Sequence, residues 1–158
     1  MKQLDAESLR ALCAEAATSP RRRAHALWHA DHGDPVQRLV MALQPGTYVR
    51  PHRHADPHKW EALLALRGRV ALVTFDDGGR VTARMELSAA AGSQVVELPP
   101  ATWHTLVALE RDSVLFEFKQ GPFAPQEFAA WAPAEGDAAA AAAEAWLRSA
   151  APGARLGD

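Results

Sequence analysis

Residues 45–61 read PGTYVRPHRHADPHKWE, a segment that combines turn-forming residues with three histidines and two acidic residues. Side chains two residues apart on an extended strand point to the same side. His52 and His54 are therefore predicted to share one face. Two neutral imidazoles held in this way can ligate one metal ion at about 2.0–2.1 Å. The segment predicts a β-strand that presents a pair of metal ligands.

Two further residues could complete the ligand set. Glu61 begins the next predicted strand and could add an oxygen ligand, while His104 begins a later strand after a Pro-Pro turn. His58 lies in the loop before Glu61 and could replace or assist it. Three imidazoles and one carboxylate leave open positions on an octahedral metal, as a site that meets substrate requires. This donor set suits Fe(II), Mn, Ni, Co or Zn.

The residues around this segment predict an antiparallel sandwich or barrel. Short runs rich in Val and Leu recur about every ten residues and are broken by Gly, Pro and Asp. Asp77-Gly78 between two alternating runs predicts a hairpin. The spacing favours a mainly β domain over a βαβ sheet. The candidate strands are 36–43, 47–54, 60–66, 69–75, 80–87, 94–98, 103–109 and 113–119.

Helices are predicted at both ends of the chain. An apolar stripe over residues 9–16, with Asp5 as N-cap, predicts the first helix. Residues 21–34 have no clear period and are expected to form an ordered loop or an edge strand. After the last strand, a short helix is predicted at 125–131. An alanine-rich helix, capped by Asp137, is predicted at 138–149, and a frayed tail at 152–158.

Length, charge and cysteine content exclude several classes of protein. The 158 residues suffice for one domain, and a net charge of -2 with a single cysteine argues against a nucleic-acid binder and a disulfide framework. No apolar run of about 18 residues exists, and the N-terminus is acidic where a signal peptide would be basic. These features predict a cytoplasmic protein without a membrane partner. The basic run Arg21-Arg22-Arg23 is either a solvated patch or an arm that reaches a pocket mouth or a partner subunit and binds phosphate or carboxylate there.

The metal-ligand pattern carries a resemblance to a known superfamily. Gly46, His52, His54, Glu61 and Gly68 are similar to the first cupin motif, and Gly92, Pro99 and His104 to the second. More narrowly, residues 19–23, 46–54 and 99–109 resemble the WbuC family of cupin-fold metalloproteins. Six residues separate His54 from Glu61, which is more than cupins usually have.

The resemblance implies a cupin-like double-sheet jelly-roll barrel with an N-terminal helix and a C-terminal helical extension. One domain is expected, divided into the helix 1–20, the jelly roll 35–122 and the extension 123–158. The implied metal ligands are His52, His54, Glu61 and His104. Cupins also frequently dimerise through sheet edges, so a homodimer is a further expectation.

Strand parity adds candidates beside the metal. Tyr48 and Arg50 share parity with His52 and His54, so they are predicted to face the same interior. Tyr48 is the candidate acid–base group. Arg50 would pair with a carboxylate such as Glu117 or bind an anionic ligand. On the last strand, the face that carries Glu117 and Lys119 is expected toward solvent, because jelly-roll cores usually bury the aromatic face, here Phe116 and Phe118; a pocket position is the alternative.

Several functions are compatible with these residues. The leading hypothesis is a metal-dependent isomerase, epimerase or lyase acting on a small anionic or sugar-derived substrate. Arg50 and Arg22 would orient the anion. The alternatives are an Fe(II) dioxygenase, a non-catalytic metal-dependent module that binds a small molecule, and a metal-free structural jelly roll.

Overall fold

The computed structural model describes residues 1–156, which form two helices and two five-stranded sheets. The elements in chain order are α1 (Ala6–Thr18), β1 (Arg23–Leu27), β2 (Val36–Leu43), β3 (His52–Arg53), β4 (Glu61–Arg67), β5 (Arg69–Phe75), β6 (Val81–Ser88), β7 (Val95–Leu98), β8 (Trp103–Ala108), β9 (Ser113–Gln120), β10 (Glu127–Phe128) and α2 (Ala140–Leu147). The strand orders are β1-β2-β9-β4-β7 and β10-β3-β8-β5-β6, with antiparallel pairing throughout these sheets. This arrangement is a jelly roll, as predicted.

Most predicted strands coincide with observed ones within one residue or so, but the prediction for 47–54 is largely wrong. Only His52–Arg53 forms a regular strand there. Several carbonyl groups before it are bound by side chains instead of a neighbouring strand. Tyr48 O accepts from Arg23 Nη1 at 3.0 Å, and Arg50 O lies 3.0 Å from His52 Nδ1. Pro51 also lacks the N–H that a regular ladder requires.

The core is built in three layers. Between the sheets lies an apolar cluster that includes Leu43, Leu63, Leu72, Leu106 and Leu115. α1 covers the outer face of the first sheet with the predicted stripe, of which Leu12, Cys13 and Ala16 are buried. α2 covers the outer face of the second sheet. Asp5 caps α1 as predicted, because its side chain accepts from Ser8 N at 2.8 Å.

The C-terminal segment departs from the predictions. The helix expected at 125–131 is wrong, because Glu127–Phe128 pairs with β3 as a strand. Asp137 does not cap α2; its carboxylate accepts from Ala134 N at 2.7 Å in the preceding turn. The tail does not fray over its first residues, since Val81 N and O bond Ala154 O and Gly153 N at 2.8 Å each. Residues 157–158 of the predicted tail lie outside the described residues.

The sheets extend beyond the span 35–122 on both sides. β1 is an edge strand of the first sheet, which agrees with one of the two expectations for residues 21–34, and β10 is an edge strand of the second. The segments before and after the span 35–122 therefore contribute strands to the sheets.

Within the described residues, no helix combines the length and hydropathy needed to span a bilayer.

Gly121 is a position where a side chain cannot be accommodated. Its N–H donates to Pro35 O at 2.8 Å, and a Cβ atom there would overlap the carbonyl oxygen of Asp34. We expect Gly121→Ala to lower the free energy of unfolding by about 1–3 kcal/mol, measured by urea denaturation. Gly78→Ala is the control, because the nearest atom to its added Cβ is the flexible Asp76 carboxylate at 3.4 Å. Equal stability of the two variants would contradict the prediction.

Candidate metal centre

Strand register brings two imidazoles together, and a third lies beside them in the loop after β3. His52 on β3 is the direct partner of His104 on β8, so the two side chains lie on the same face of the sheet. Their ring centroids are 4.5 Å apart. The His54 ring lies 5.8 Å from that of His52 and 6.2 Å from that of His104. The predicted convergence of these three residues is thus present, although His104 is distant in sequence.

The opposite sheet supplies the carboxylate. Glu61, the first residue of β4, is 3% exposed, and its Oε2 lies 2.9 Å from His54 Nε2 and 3.6 Å from His104 Nε2. His58 is exposed instead, and its backbone N–H donates to Asp56 Oδ1 at 2.8 Å within the loop. Glu61 and His58 were the two candidates for the next ligand, and the structure places Glu61 beside the histidines.

Backbone carbonyls determine which ring nitrogens of His52 and His104 carry the proton. His52 Nδ1 lies 3.0 Å from Arg50 O, and His104 Nδ1 lies 2.9 Å from Thr102 O. A carbonyl can only accept, so Nδ1 is the donor and Nε2 keeps its lone pair. Burial lowers the pKa of His52 to about 3 and lowers the pKa of His104 as well. Both rings are neutral, which is the form that ligates metals.

The charged face of β9 lies beside this cluster. Lys119 is the register partner of Glu61, and its Nζ donates to Glu117 Oε1 at 2.6 Å and lies 3.5 Å from His54 Nε2. Burial raises the pKa of Glu117, and the nearby Glu61 carboxylate raises it further. Burial also opposes ionisation of Glu61, but His104, His54 and Lys119 outweigh it and hold its pKa below the usual value.

The expectation that Glu117 and Lys119 face solvent is therefore wrong. Both line the interior of the barrel, and Glu117 is 7% exposed. The physical reason is that α1 covers the other face of β9. Phe116 packs against that helix cluster, with its ring centroid 5.2 Å from that of Trp28. The aromatic face is thus buried outside the barrel, which leaves the charged face inside.

The polar end of the barrel contains a cavity of about 480 Å³. It borders the apolar core cluster between the sheets, since Met41 and Leu106 belong to both. Its walls come from both sheets and from the segment after β9. The lining residues are Arg21, Arg23, His25, Leu27, Leu39, Met41, Val49, His52, Glu61, His104, Leu106, Glu117, Lys119, Phe123, Gln126, Phe128 and Glu135.

The chemical types of these donor groups suit a metal ion, but the side chains do not yet form a coordination site. Among residues 1–156, no three His, Cys, Asp or Glu side chains already have a geometry that could hold an ion. In this arrangement, His54 and Glu61 are hydrogen-bonded to each other. However, His104 Nε2 is buried with no hydrogen-bond partner in this part of the chain. A buried lone pair beside a carboxylate and two further imidazoles is what a metal with N/O ligands would satisfy.

Tyr48 and Arg50 do not reach this cavity. The Tyr48 hydroxyl donates to Pro133 O at 3.0 Å, and its ring packs in the apolar cluster under α2. Arg50 Nη2 donates to Ala129 O at 2.7 Å, and its guanidinium lies over the Phe128 ring at 5.5 Å. The shared-face prediction fails because the chain is irregular before His52, so alternation does not carry across Pro51.

Four cavity residues had no assigned role in the ligand pattern: Arg21, Arg23, His25 and Glu135. Both arginines bind the Glu135 carboxylate, in agreement with the alternative that residues 21–23 form an arm that binds a carboxylate. Arg22 does not take part, because it turns outward with φ 55° and its Nε donates to Pro45 O at 2.7 Å. Alternation along β1 could have revealed Arg23 and His25. No sequence pattern points to Glu135.

The two sheets form a jelly roll of the cupin type, and solved structures share this fold. The chain resembles oxalate oxidase in complex with the substrate analogue glycolate, with a TM-score of 0.56 and 14% identity over 71% of this chain and 57% of that one. It also resembles KdgF from Halomonas sp., with a TM-score of 0.51 and 18% identity over 68% of this chain and 85% of that one. The predicted cupin fold is confirmed. The chain spans little more than half the length of the oxalate oxidase.

The sequence places the chain in a particular family. The sequence model described as a domain of unknown function (DUF6016) matches residues 4–87, and the protein belongs to that family. No curated protein matches the chain in sequence. The narrower resemblance to the WbuC family is not supported by these matches and stays a prediction.

Proposed function

We propose that the protein binds one divalent transition metal through His52, His54, Glu61 and His104 and acts as an enzyme on a small anionic substrate. The observation that carries this proposal is the buried, unpartnered Nε2 of His104, which lies 3.6 Å from the Glu61 carboxylate. The ligand types suit Fe(II), Mn, Ni, Co or Zn. An isomerase, epimerase or lyase reaction is the leading class, and Fe(II)-dependent oxygen chemistry is the alternative with the same ligands.

The surrounding side chains have distinct roles in this proposal. A bound metal would polarise a carbonyl or hydroxyl oxygen of the substrate. Lys119 lines the cavity beside His54, so its ammonium group can stabilise negative charge that develops on the substrate. Glu117 holds Lys119 in place by a 2.6 Å hydrogen bond. The apolar wall formed by Leu39, Met41 and Leu106 limits the water that reaches this region.

A non-catalytic binding module is the second candidate. Tyr48, the acid–base group suggested by strand parity, packs outside the cavity, and this position favours binding without turnover. Against it, the cavity contains other groups able to exchange protons or stabilise charge, namely Lys119, Glu117 and His25. The presence of these groups in the cavity that the candidate ligands also line favours the enzyme.

Metal analysis tests the proposal directly. We expect the purified protein to contain about one equivalent of a transition metal per chain and His104→Ala to contain almost none, because loss of one ligand opens the site. Elemental analysis by mass spectrometry provides the measurement. His58→Ala is the matched control, since this exposed histidine lies in the same segment but outside the cavity. Retention of metal by His104→Ala would remove His104 from the ligand set.

A further inference from the structure

We propose that Arg21 and Arg23 form a carboxylate-binding site at the cavity mouth, which Glu135 of the same chain fills until the carboxylate of a substrate replaces it. The inference rests on the proposed function in one respect: the bound carboxylate belongs to the molecule that reaches the metal ligands. The ligand class is a small carboxylic acid that carries a second oxygen function.

The two arginines hold Glu135 in the manner of a ligand. Arg21 Nε and Nη2 lie 3.0 and 2.9 Å from Glu135 Oε2, and Arg23 Nη2 lies 2.5 Å from Oε1. Each carboxylate oxygen is therefore bound by a different guanidinium. Paired N–H donors directed at both oxygens of a planar group give geometric specificity for carboxylates.

Arg23 is held in position independently of Glu135. Its Nη1 donates to Tyr48 O at 3.0 Å and to Thr47 Oγ1 at 3.3 Å, and its side chain is only 5% exposed. These bonds to the barrel wall would persist if Glu135 left. A site whose donors are fixed beforehand binds its ligand at a smaller entropic cost.

Glu135 is suited to exchange with an external anion. Its side chain is 29% exposed, and it lies in the irregular segment between β10 and α2. Neither sheet depends on it for backbone pairing in the described residues. Its departure would leave the jelly roll intact, and its carboxylate could move into solvent through the open mouth.

A third guanidinium group lines a cavity that Glu135 also borders. Arg50 lines this neighbouring cavity of about 220 Å³ together with Arg21, Phe128 and Glu135. Its Nε is buried without a hydrogen-bond partner among residues 1–156, and no carboxylate of this part of the chain pairs with it. Arg50 can therefore add its positive charge to that of Arg21 and Arg23 when an anion approaches.

His25 lines the cavity beside the two arginines. Loss of bulk water and then the charges of Arg23, Arg21 and Lys119 lower the pKa of His25 to about 4, although part of its side chain still reaches solvent. The arginines and the histidine–Glu61 cluster line a single cavity. One small molecule could contact both groups, with its carboxylate at the arginines and an oxygen donor at the opposite end.

Calorimetric titration of the metal-free protein tests this inference, with malonate and inorganic phosphate as probes. We expect Glu135→Gln to bind malonate about tenfold more tightly than the wild type, because the internal competitor has lost its charge. We expect Arg21→Gln and Arg23→Gln to bind it at least about tenfold more weakly. Arg69→Gln is the control, since Arg69 also bridges two carboxylates, Glu86 and Glu110, but does not line the cavity.

Each outcome of this titration is informative. If Arg23→Gln does not fold, Arg21→Gln still decides the matter, because Arg21 has a 60% exposed side chain. Unchanged malonate affinity in Glu135→Gln or in Arg21→Gln would overturn the inference. Phosphate binding tighter than malonate binding would overturn the carboxylate assignment. Because these titrations contain no metal, a failure of the metal proposal would appear in the elemental analysis and would leave them unaffected.

Discussion

Lys119→Met is expected to lower the free energy of unfolding by about 3 kcal/mol. The substitution keeps most of the side-chain volume but leaves Glu117, whose side chain is 9% exposed, without its cation. Glu117 and Glu61 would then be two buried carboxylates near each other, since Glu61 already raises the pKa of Glu117. The lower end of the range for broken buried pairs applies because Lys119 borders a cavity that admits water. Urea denaturation measures the loss.

A double-mutant cycle separates charge from packing in this experiment. Glu117→Gln combined with Lys119→Met removes both charges, so the double variant should recover at least about 2 kcal/mol of the loss. A double variant as unstable as Lys119→Met, or a single variant as stable as the wild type, would show that the ion pair is not a buried structural contact.

Glu61→Gln is expected to lower the affinity for a divalent metal at least about 100-fold while preserving the fold. The amide has the same shape as the carboxylate but lacks the charge that balances a divalent cation, and it is a weaker ligand. Titration with Co²⁺, whose visible absorption reports its coordination, measures the affinity. Thermal unfolding provides a second readout, because a metal at 100 times its Kd stabilises the folded protein by about 2.7 kcal/mol.

The control for this experiment is Glu97→Gln. Glu97 is an exposed carboxylate on β7, the strand that pairs with β4, and it does not line the cavity. Its variant should bind Co²⁺ as the wild type does and gain the same thermal stability. The ligand assignment of Glu61 fails if Glu61→Gln keeps its Co²⁺ affinity, or if both variants lose it equally.

Local sequence patterns were sufficient to predict an antiparallel β domain and the pairing of His52 with His54, whereas the jelly roll itself followed from the resemblance. The His52–His54 spacing depends only on strand alternation, and the Gly and Pro breaks mark where each strand ends. His104 required a motif resemblance, since no local pattern connects it to residues 52–61. These features are encoded within short segments, which is why a single sequence reveals them.

The misplaced residues depend on contacts that a single sequence does not encode. The interior position of Glu117 follows from α1 covering the opposite face of β9, which is a long-range packing choice. Tyr48 was misplaced because bonds from Arg23 and the ring of Pro51 interrupt the alternation. The contact between Arg21 and Glu135 joins segments 114 residues apart, so neither segment predicts the other.

The candidate ligands belong to opposite halves of the barrel, with His52 and His104 on one sheet and Glu61 on the other. An ion bound by all of them would link the two sheets directly at the cavity. Elsewhere between the sheets, buried leucines such as Leu63 and Leu72 already hold the two halves together. The same ion would therefore take part in the chemistry and also stiffen the contact between the two sheets at the cavity.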